Sequence, residues 1–258
     1  MYKILDEHIK ELEALKKYPQ IYYKGNSALL NRVKVSIVGS RNPTLYTREC
    51  TYNLSKALSA RGVCVVSGGA MGVDAIAHEG AGAENTICVL GSGIDVYYPA
   101  INKNLLGSIA NKGLLMSQFE PDFKATQWSF VQRNEIVVAL GDILIVTEAN
   151  IDGGSMRSVE FALSMGKKIY VLPHTINESR GTNTLLARGE ATIIHDINEF
   201  VSQFGKELGS QSFKNDDFFI YCQQNPTLDD AVFRFKDRVY EAELEGLISI
   251  SNGKINLI

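Results

Sequence analysis

The sequence predicts an α/β fold: a parallel β-sheet with helices on both faces, followed by a small C-terminal domain. Three observations predict it. Four apolar, β-branched runs each end in a glycine-rich loop: Val35–Val38 before Gly39-Ser40-Arg41, Val63–Val66 before Ser67-Gly68-Gly69, Thr86–Leu90 before Gly91-Ser92-Gly93, and Ile143–Thr147 before Asp152-Gly153-Gly154-Ser155. Such runs read as strands buried on both faces. Strand and helix patterns then alternate as far as Phe204, which is how a parallel sheet is connected. Beyond Gly205 the alternation stops.

In chain order, Asp6–Lys17 carries Ile9, Leu12 and Leu15 at helical spacing, closed by Pro19, and a short strand follows at Ile21–Tyr23 with a Gly25-Asn26 turn. The first core strand starts at Val33, and a helix over Arg48–Ala60 ends at Gly62. The second strand, Val63–Val66, leads through Gly68–Gly72 into a helix that stops near Gly82. Strand Thr86–Leu90, helix Asn102–Ala110 and strand Leu114–Ser117 come next, then an irregular Glu120–Ser129 and a helix over Phe130–Leu140. Ile143–Thr147, helix Ser155–Met165, strand Lys168–Leu172, a polar loop at Asn177–Asn183, helix Thr184–Arg188, strand Ala191–Ile194 and helix Ile197–Phe204 complete the sheet domain. Asp216–Cys222, Leu228–Phe233 and Phe235–Gly246 read as three short helices, and Ile248–Ile258 as a hairpin about Asn252-Gly253. Three helices and a hairpin suit a winged helix; a helical cap on the main domain is the alternative. The domain plan is therefore a helical segment at residues 1–30, the sheet domain at 31–205, a linker at 206–215 and the C-terminal domain at 216–258.

The chain has 258 residues, 45% of them hydrophobic, enough for one large α/β core and an appendage. Cys50, Cys64, Cys88 and Cys222 are far apart and match no zinc or disulfide spacing. The first ten residues are too polar for a signal peptide, and no apolar run reaches the ~20 residues that span a bilayer, so a cytoplasmic protein is expected. The net charge is −3, and all of that excess lies in residues 206–258, leaving the rest neutral. A broad basic face is excluded. A polyanion would have to be held by backbone N–H groups, helix N-termini and a few placed cations.

Glycine loops at the carboxyl ends of parallel strands form a rim where ligands bind, and small residues let backbone amides approach a phosphate. One such loop alone satisfies turn geometry; four on one edge point to a ligand with several phosphates. The G-x-G-x-x-G fingerprint is absent, and no Walker lysine follows any of the loops, which argues against dinucleotide redox chemistry and NTP hydrolysis. Arg41 leaves the first loop where its guanidinium can fork onto a phosphate, or pair with a nearby carboxylate. Trp128 and Phe130, beside Arg133 and Asn134, have the composition of a base-stacking platform and equally of a hydrophobic staple entering a helix. Asp74 falls in the first turn of its helix, where the dipole favours a carboxylate. His78, His174 and His195 are isolated, so no catalytic residues, metal site or cofactor are expected.

Taken together, these loops resemble the DprA/Smf (DNA-processing protein A) family. The resemblance rests on Ile37-Val38-Gly39-Ser40-Arg41, on Val66–His78, on Cys88–Asp95 with Tyr98, Pro99 and Asn102, on Phe130–Ile136, on Gly154-Ser155 and on Gly181-Thr182-Asn183, in family order. It implies an extended Rossmann-like sheet, a homodimer, binding of single-stranded DNA, and delivery of the strand to the RecA recombinase during natural transformation, without catalysis. It carries DNA contacts onto Gly39, Ser40, Arg41, Gly68, Gly69, Phe130, Arg133, Asn134, Gly154, Ser155, Lys167 and Lys168. Met71 and Glu135 depart from it, each standing where relatives usually or often have arginine. The acidic C-terminal domain resembles the family's winged-helix-like tail, and its charge suits a protein partner better than duplex DNA. A nucleotide-processing enzyme of the Lonely guy (lysine-decarboxylase-like) type, with Glu160 as its acid, and a nucleotide sensor are the other readings.

Overall fold

The computed structural model describes residues 2–205, 216–222, 224–244, 247–251 and 253–257, and these divide between two compact units, Met1–Lys206 and Glu207–Ile258. The linker expected at 206–215 lies outside the described residues.

In the first unit the strands are β1 (Lys3–Ile4), β2 (Tyr22–Gly25), β3 (Lys34–Val38), β4 (Cys64–Gly68), β5 (Thr86–Val89), β6 (Leu114–Ser117), β7 (Ile143–Val146), β8 (Ile169–Val171) and β9 (Thr192–Ile193). The helices are α1 (Leu45–Ala60), α2 (Val73–Ala81), α3 (Lys103–Lys112), α4 (Gln127–Leu140), α5 (Ser155–Ser164), α6 (Arg180–Ala187) and α7 (Ile197–Ser202). The sheet order is β1-β2-β6-β5-β4-β3-β7-β8-β9. From β6 to β9 every neighbouring pair is parallel, while β2 and β1 join one edge antiparallel. The parallel sheet expected from the sequence is present from β6 to β9, and the two edge strands β2 and β1 extend it antiparallel.

The central strands β3, β4, β5, β6 and β7 are buried along their whole length, which explains their unbroken apolar runs. Alternate residues serve opposite faces. Val35, Ile37, Val65 and Ile145 pack with Leu54 and Leu58 of α1, Val73 and Ala77 of α2, and Phe200 and Val201 of α7. Val38, Val66, Val89 and Val146 pack on the other face with α4 and α5. The last five residues of α4, Ile136–Leu140, are all buried, so this helix runs through the core rather than over it.

β4, β5 and β6 lie in succession on one side of β3, and β7 returns to the other side. The order reverses between β3 and β7, which opens a crevice at their carboxyl ends.

Several boundaries differ from the sequence reading, α1 starting at Leu45 rather than Arg48 among them, and three have a visible cause. The expected helix at Asp6–Lys17 is a single 3-10 turn, Lys10–Ala14, because Leu15 is already extended and Lys3–Ile4 is drawn into the sheet edge. α4 starts at Gln127 rather than Phe130. Thr126 and Ser129 form a reciprocal capping box, with a serine where glutamate or glutamine is the usual signal. α6 includes Gly181, read from the sequence as loop. That glycine permits close approach: a Cβ there would lie 2.7 Å from the Ala149 carbonyl oxygen, which accepts the Gly181 N–H.

The second unit holds α8 (Asp217–Cys222), α9 (Leu228–Phe235), α10 (Arg238–Leu244) and the antiparallel pair β10 (Ile248–Ser251) and β11 (Lys254–Leu257). Phe218, Cys222, Ala231, Val239, Ile248 and Ile255 form its core. No described helix is long and apolar enough to cross a membrane.

Candidate functional site

The crevice between β3 and β7 is a cleft of about 730 Å³. Its walls come from the Gly39-Ser40-Arg41 loop after β3, the first two turns of α4 with Phe130, Arg133 and Asn134, and the segment after β7 with Ala149, Asn150, Gly153, Gly154 and Ser155. Two helices of eight residues or more, α4 and α5, present their N-terminal ends here. That is the positive pole of the backbone dipole, and it favours anions.

Arg41 is exposed, and its guanidinium carbon lies 5.7 Å from the centroid of the Phe130 ring. Arg133 lies at 5.8 Å from the same ring but is a different kind of residue, 4% exposed. Its Nη1 donates to the Val89 carbonyl (2.9 Å), its Nε donates to Asn134 Oδ1 (2.9 Å), and its Nη2 is 3.8 Å from Asp74 Oδ2. Arg133 is therefore an internal strut, and its hydrogen bond fixes the Asn134 amide with the NH₂ group left as a donor. Burial raises the Asp74 carboxyl above the usual carboxylate range, and Arg133 opposes this. Arg157 lines the cleft but pairs with Glu160 at 2.7 Å. The buried Ser158 hydroxyl also lines the cleft, with no hydrogen-bond partner among the described residues.

Of the residues expected from the sequence, Gly39, Ser40, Arg41, Phe130, Arg133, Asn134, Gly154 and Ser155 meet around this one cleft. Gly68 and Gly69 are not among its lining. A Cβ at Gly68 would fall 1.9 Å from Arg133 Nη1, and one at Gly69 would point at Leu90 and Leu106 of the core. Both glycines make room for packing behind the wall. Lys167 and Lys168 stand elsewhere. Lys167 Nζ donates to the Ala139 and Gly141 carbonyls at the C-terminal end of α4, and Lys168 precedes β8 at the amino ends of the strands. Burial lowers the Lys167 ammonium below its ordinary range. Trp128 packs edge-on against Phe119 and Phe123, as a staple would, and stays 53% exposed outside the cleft lining. Glu135 and Met71 do not line the cleft either.

Tyr98, Asp74 and Ser158 are cleft residues that no loop signal marked. Tyr98 arrives from the β5–α3 connection, its ring 5.8 Å from Phe130. Among the described residues no cluster of three potential metal ligands exists. His78 is sealed in the core, bonded to Thr86 Oγ1 (2.6 Å) and to the Gly68 carbonyl (2.8 Å).

Fold and cleft together define a Rossmann-like α/β protein with an anion-favouring crevice at a strand-order reversal. Residues 4–205 match the family of DNA recombination-mediator protein A, and the chain belongs to that family. It is 34% identical over 182 residues to a putative DNA processing protein DprA of Mycobacterium tuberculosis, covering 68% of this chain and 47% of the relative. The chain thus spans about half the length of that curated relative. Among solved structures, DNA processing protein A from Helicobacter pylori, described by its single-stranded DNA binding mode, superposes with TM-score 0.77 at 39% identity, covering 79% of this chain and 95% of that one. DprA from Streptococcus pneumoniae gives TM-score 0.73 at 30% identity, covering 80% and 75% respectively.

Proposed function

We propose that residues 31–205 bind single-stranded DNA in the β3–β7 cleft and that the protein is a recombination mediator without catalytic activity. The observation that carries this reading is the pairing of an exposed cation without a carboxylate partner among the described ion pairs, Arg41, with an aromatic ring, Phe130, on a rim that also holds glycines, serines and two helix N-termini. Such a rim suits phosphates with unpaired bases beside them: backbone amides and a guanidinium take the charge, and an aromatic ring offers a stacking partner. In this reading the protein acts in the cytoplasm as a homodimer, protects incoming DNA during natural transformation and passes it to RecA. The C-terminal unit, residues 216–258, is a winged-helix-like domain whose acidity suits a protein partner. The enzyme alternative finds no support in Glu160, which is tied to Arg157 on the exposed side of α5 and does not line the cleft.

Salt-dependent binding of a labelled oligothymidine, set against duplex of equal length, tests the reading. Tight single-strand binding with a shallow salt slope is expected, because few cations contribute. No binding at low salt overturns it. Arg41→Ala is expected to weaken binding about tenfold for every sequence and to reduce the salt slope by about one, since a phosphate contact carries no base identity. Parent-like binding by that variant would remove Arg41 from the interface. Lys167→Met is expected to cost about 1–3 kcal/mol in urea unfolding, by stranding two helix-end carbonyls, and to leave the salt slope unchanged. A changed slope would return Lys167 to the DNA path.

A further inference from the structure

Arg41 sits on a loop, and a loop does not hold an arginine in place by itself. What holds this one is Glu148, the second residue after β7. Glu148 Oε2 accepts hydrogen bonds from the Thr44 N–H (3.0 Å), the Thr44 hydroxyl (3.1 Å) and the Thr47 hydroxyl (2.7 Å). The carboxylate thus ties the chain just after β7 to the N-cap of α1, Thr44, where the loop that starts at Ser40 ends. On the opposite side the Val73 N–H donates to the Ser40 carbonyl at 3.0 Å. Gly72, at φ +78°, leaves no room there: a Cβ would lie 2.4 Å from the Ser40 carbonyl oxygen and 2.5 Å from that of Arg41. The Ser40–Arg41 backbone is clamped between the end of β7 and the start of α2.

We propose that Glu148 is a positioning residue for the DNA-binding rim: its carboxylate fixes the Ser40–Thr44 loop so that Arg41 stands over Phe130 at the mouth of the cleft. The inference rests on the single-stranded DNA reading for its consequence, though not for its geometry. Glu148 does not line the cleft, so it acts through Arg41 rather than on the ligand. Its charge makes the test a matter of sign. Coulomb's law alone says that deleting a negative charge beside an anion site tightens polyanion binding. Positioning says the opposite.

Glu148→Ala is expected to weaken oligothymidine binding about tenfold, as much as Arg41→Ala does, and the double variant is expected to bind no worse than Arg41→Ala alone. Glu148→Gln keeps the shape and one acceptor oxygen, folds if the alanine variant does not, and is expected to fall between parent and Glu148→Ala. Unchanged or tighter binding in the variants, or additive losses in the double variant, overturns the proposal. A DNA-free measurement separates this from failure of the functional reading. Amide hydrogen exchange at Asn42, whose N–H donates to Ser40 Oγ, is expected to speed up at least tenfold in Glu148→Gln. Unchanged exchange at Asn42 overturns the positioning role whether or not the protein binds DNA; faster exchange in a protein that binds no DNA leaves the clamp standing and removes the functional reading.

Discussion

A single methyl group added at Gly68 is expected to destabilise the protein by about 3–5 kcal/mol, the range found when a buried ion pair is broken. Gly68 ends β4 directly behind Arg133, and an alanine Cβ would sit 1.9 Å from Nη1, 2.2 Å from Cζ and 2.5 Å from Asp74 Oδ2. Normally the tip of an arginine moves aside at little cost. This one is held by the Val89 carbonyl, Asn134 and Asp74, and displacing it strands a carboxylate buried to 7% exposure. Urea unfolding of Gly68→Ala checks the loss. In an Arg133→Leu, Asp74→Leu background the methyl has no guanidinium to displace, and its cost is expected to drop below about 1.5 kcal/mol. An equal cost in both backgrounds would show that the clash lies with the backbone instead.

Acid is expected to weaken the fold as the pH falls below about 6.5, and His78 is the reason. The ring is fully enclosed: Nε2–H donates to the Gly68 carbonyl, Nδ1 lies 2.6 Å from the Thr86 hydroxyl, which itself donates to the Val65 carbonyl, and the Arg133 charge further disfavours an imidazolium there. Burial pushes its pKa down to about 4 from 6.5. The unfolded chain therefore takes up a proton near pH 6.5 that the native state refuses. Stability is complete above that pH and declines as the pH falls from 6.5 towards 4, by about 1.4 kcal/mol per unit. Between pH 7.5 and 5 the loss is expected to be about 2 kcal/mol, read by urea unfolding. Glu11 and Glu148, whose carboxyls are held below their ordinary range, withdraw stability only at lower pH. Asp74 acts with the opposite sign: its raised pKa lets the native state accept a proton readily, which offsets part of the loss. His78→Gln can still donate to Gly68 and is expected to flatten the profile; an unchanged profile would acquit His78.

The sheet was legible because buried parallel strands announce themselves as apolar runs, and the glycine loops after β3 and β7 announce the crevice. What escaped depended on partners distant in sequence. Arg133 reads as a phosphate cation until Asp74 and the Val89 carbonyl are seen beside it. Lys167 reads the same way until α4 is found ending against it. Gly68 and Gly69 belong to a genuine glycine loop, yet what they accommodate is an arginine and two leucines. Glycine marks a close approach without saying what approaches. β1 escaped because it has two residues and no period to detect, and β2, though read as a strand, carries nothing that says which way it runs beside β6.

α4 runs from the cleft wall through the centre of the core, secured at one end by Ser129 donating to the Gly91 carbonyl and at the other by Lys167. A wall fixed at both ends does not reshape itself around a visitor. Adaptation then falls to whatever enters the cleft: on the proposed reading, a single strand can rotate its sugars and splay its bases to match, whereas a duplex, stiff over many base pairs, has little such freedom to give.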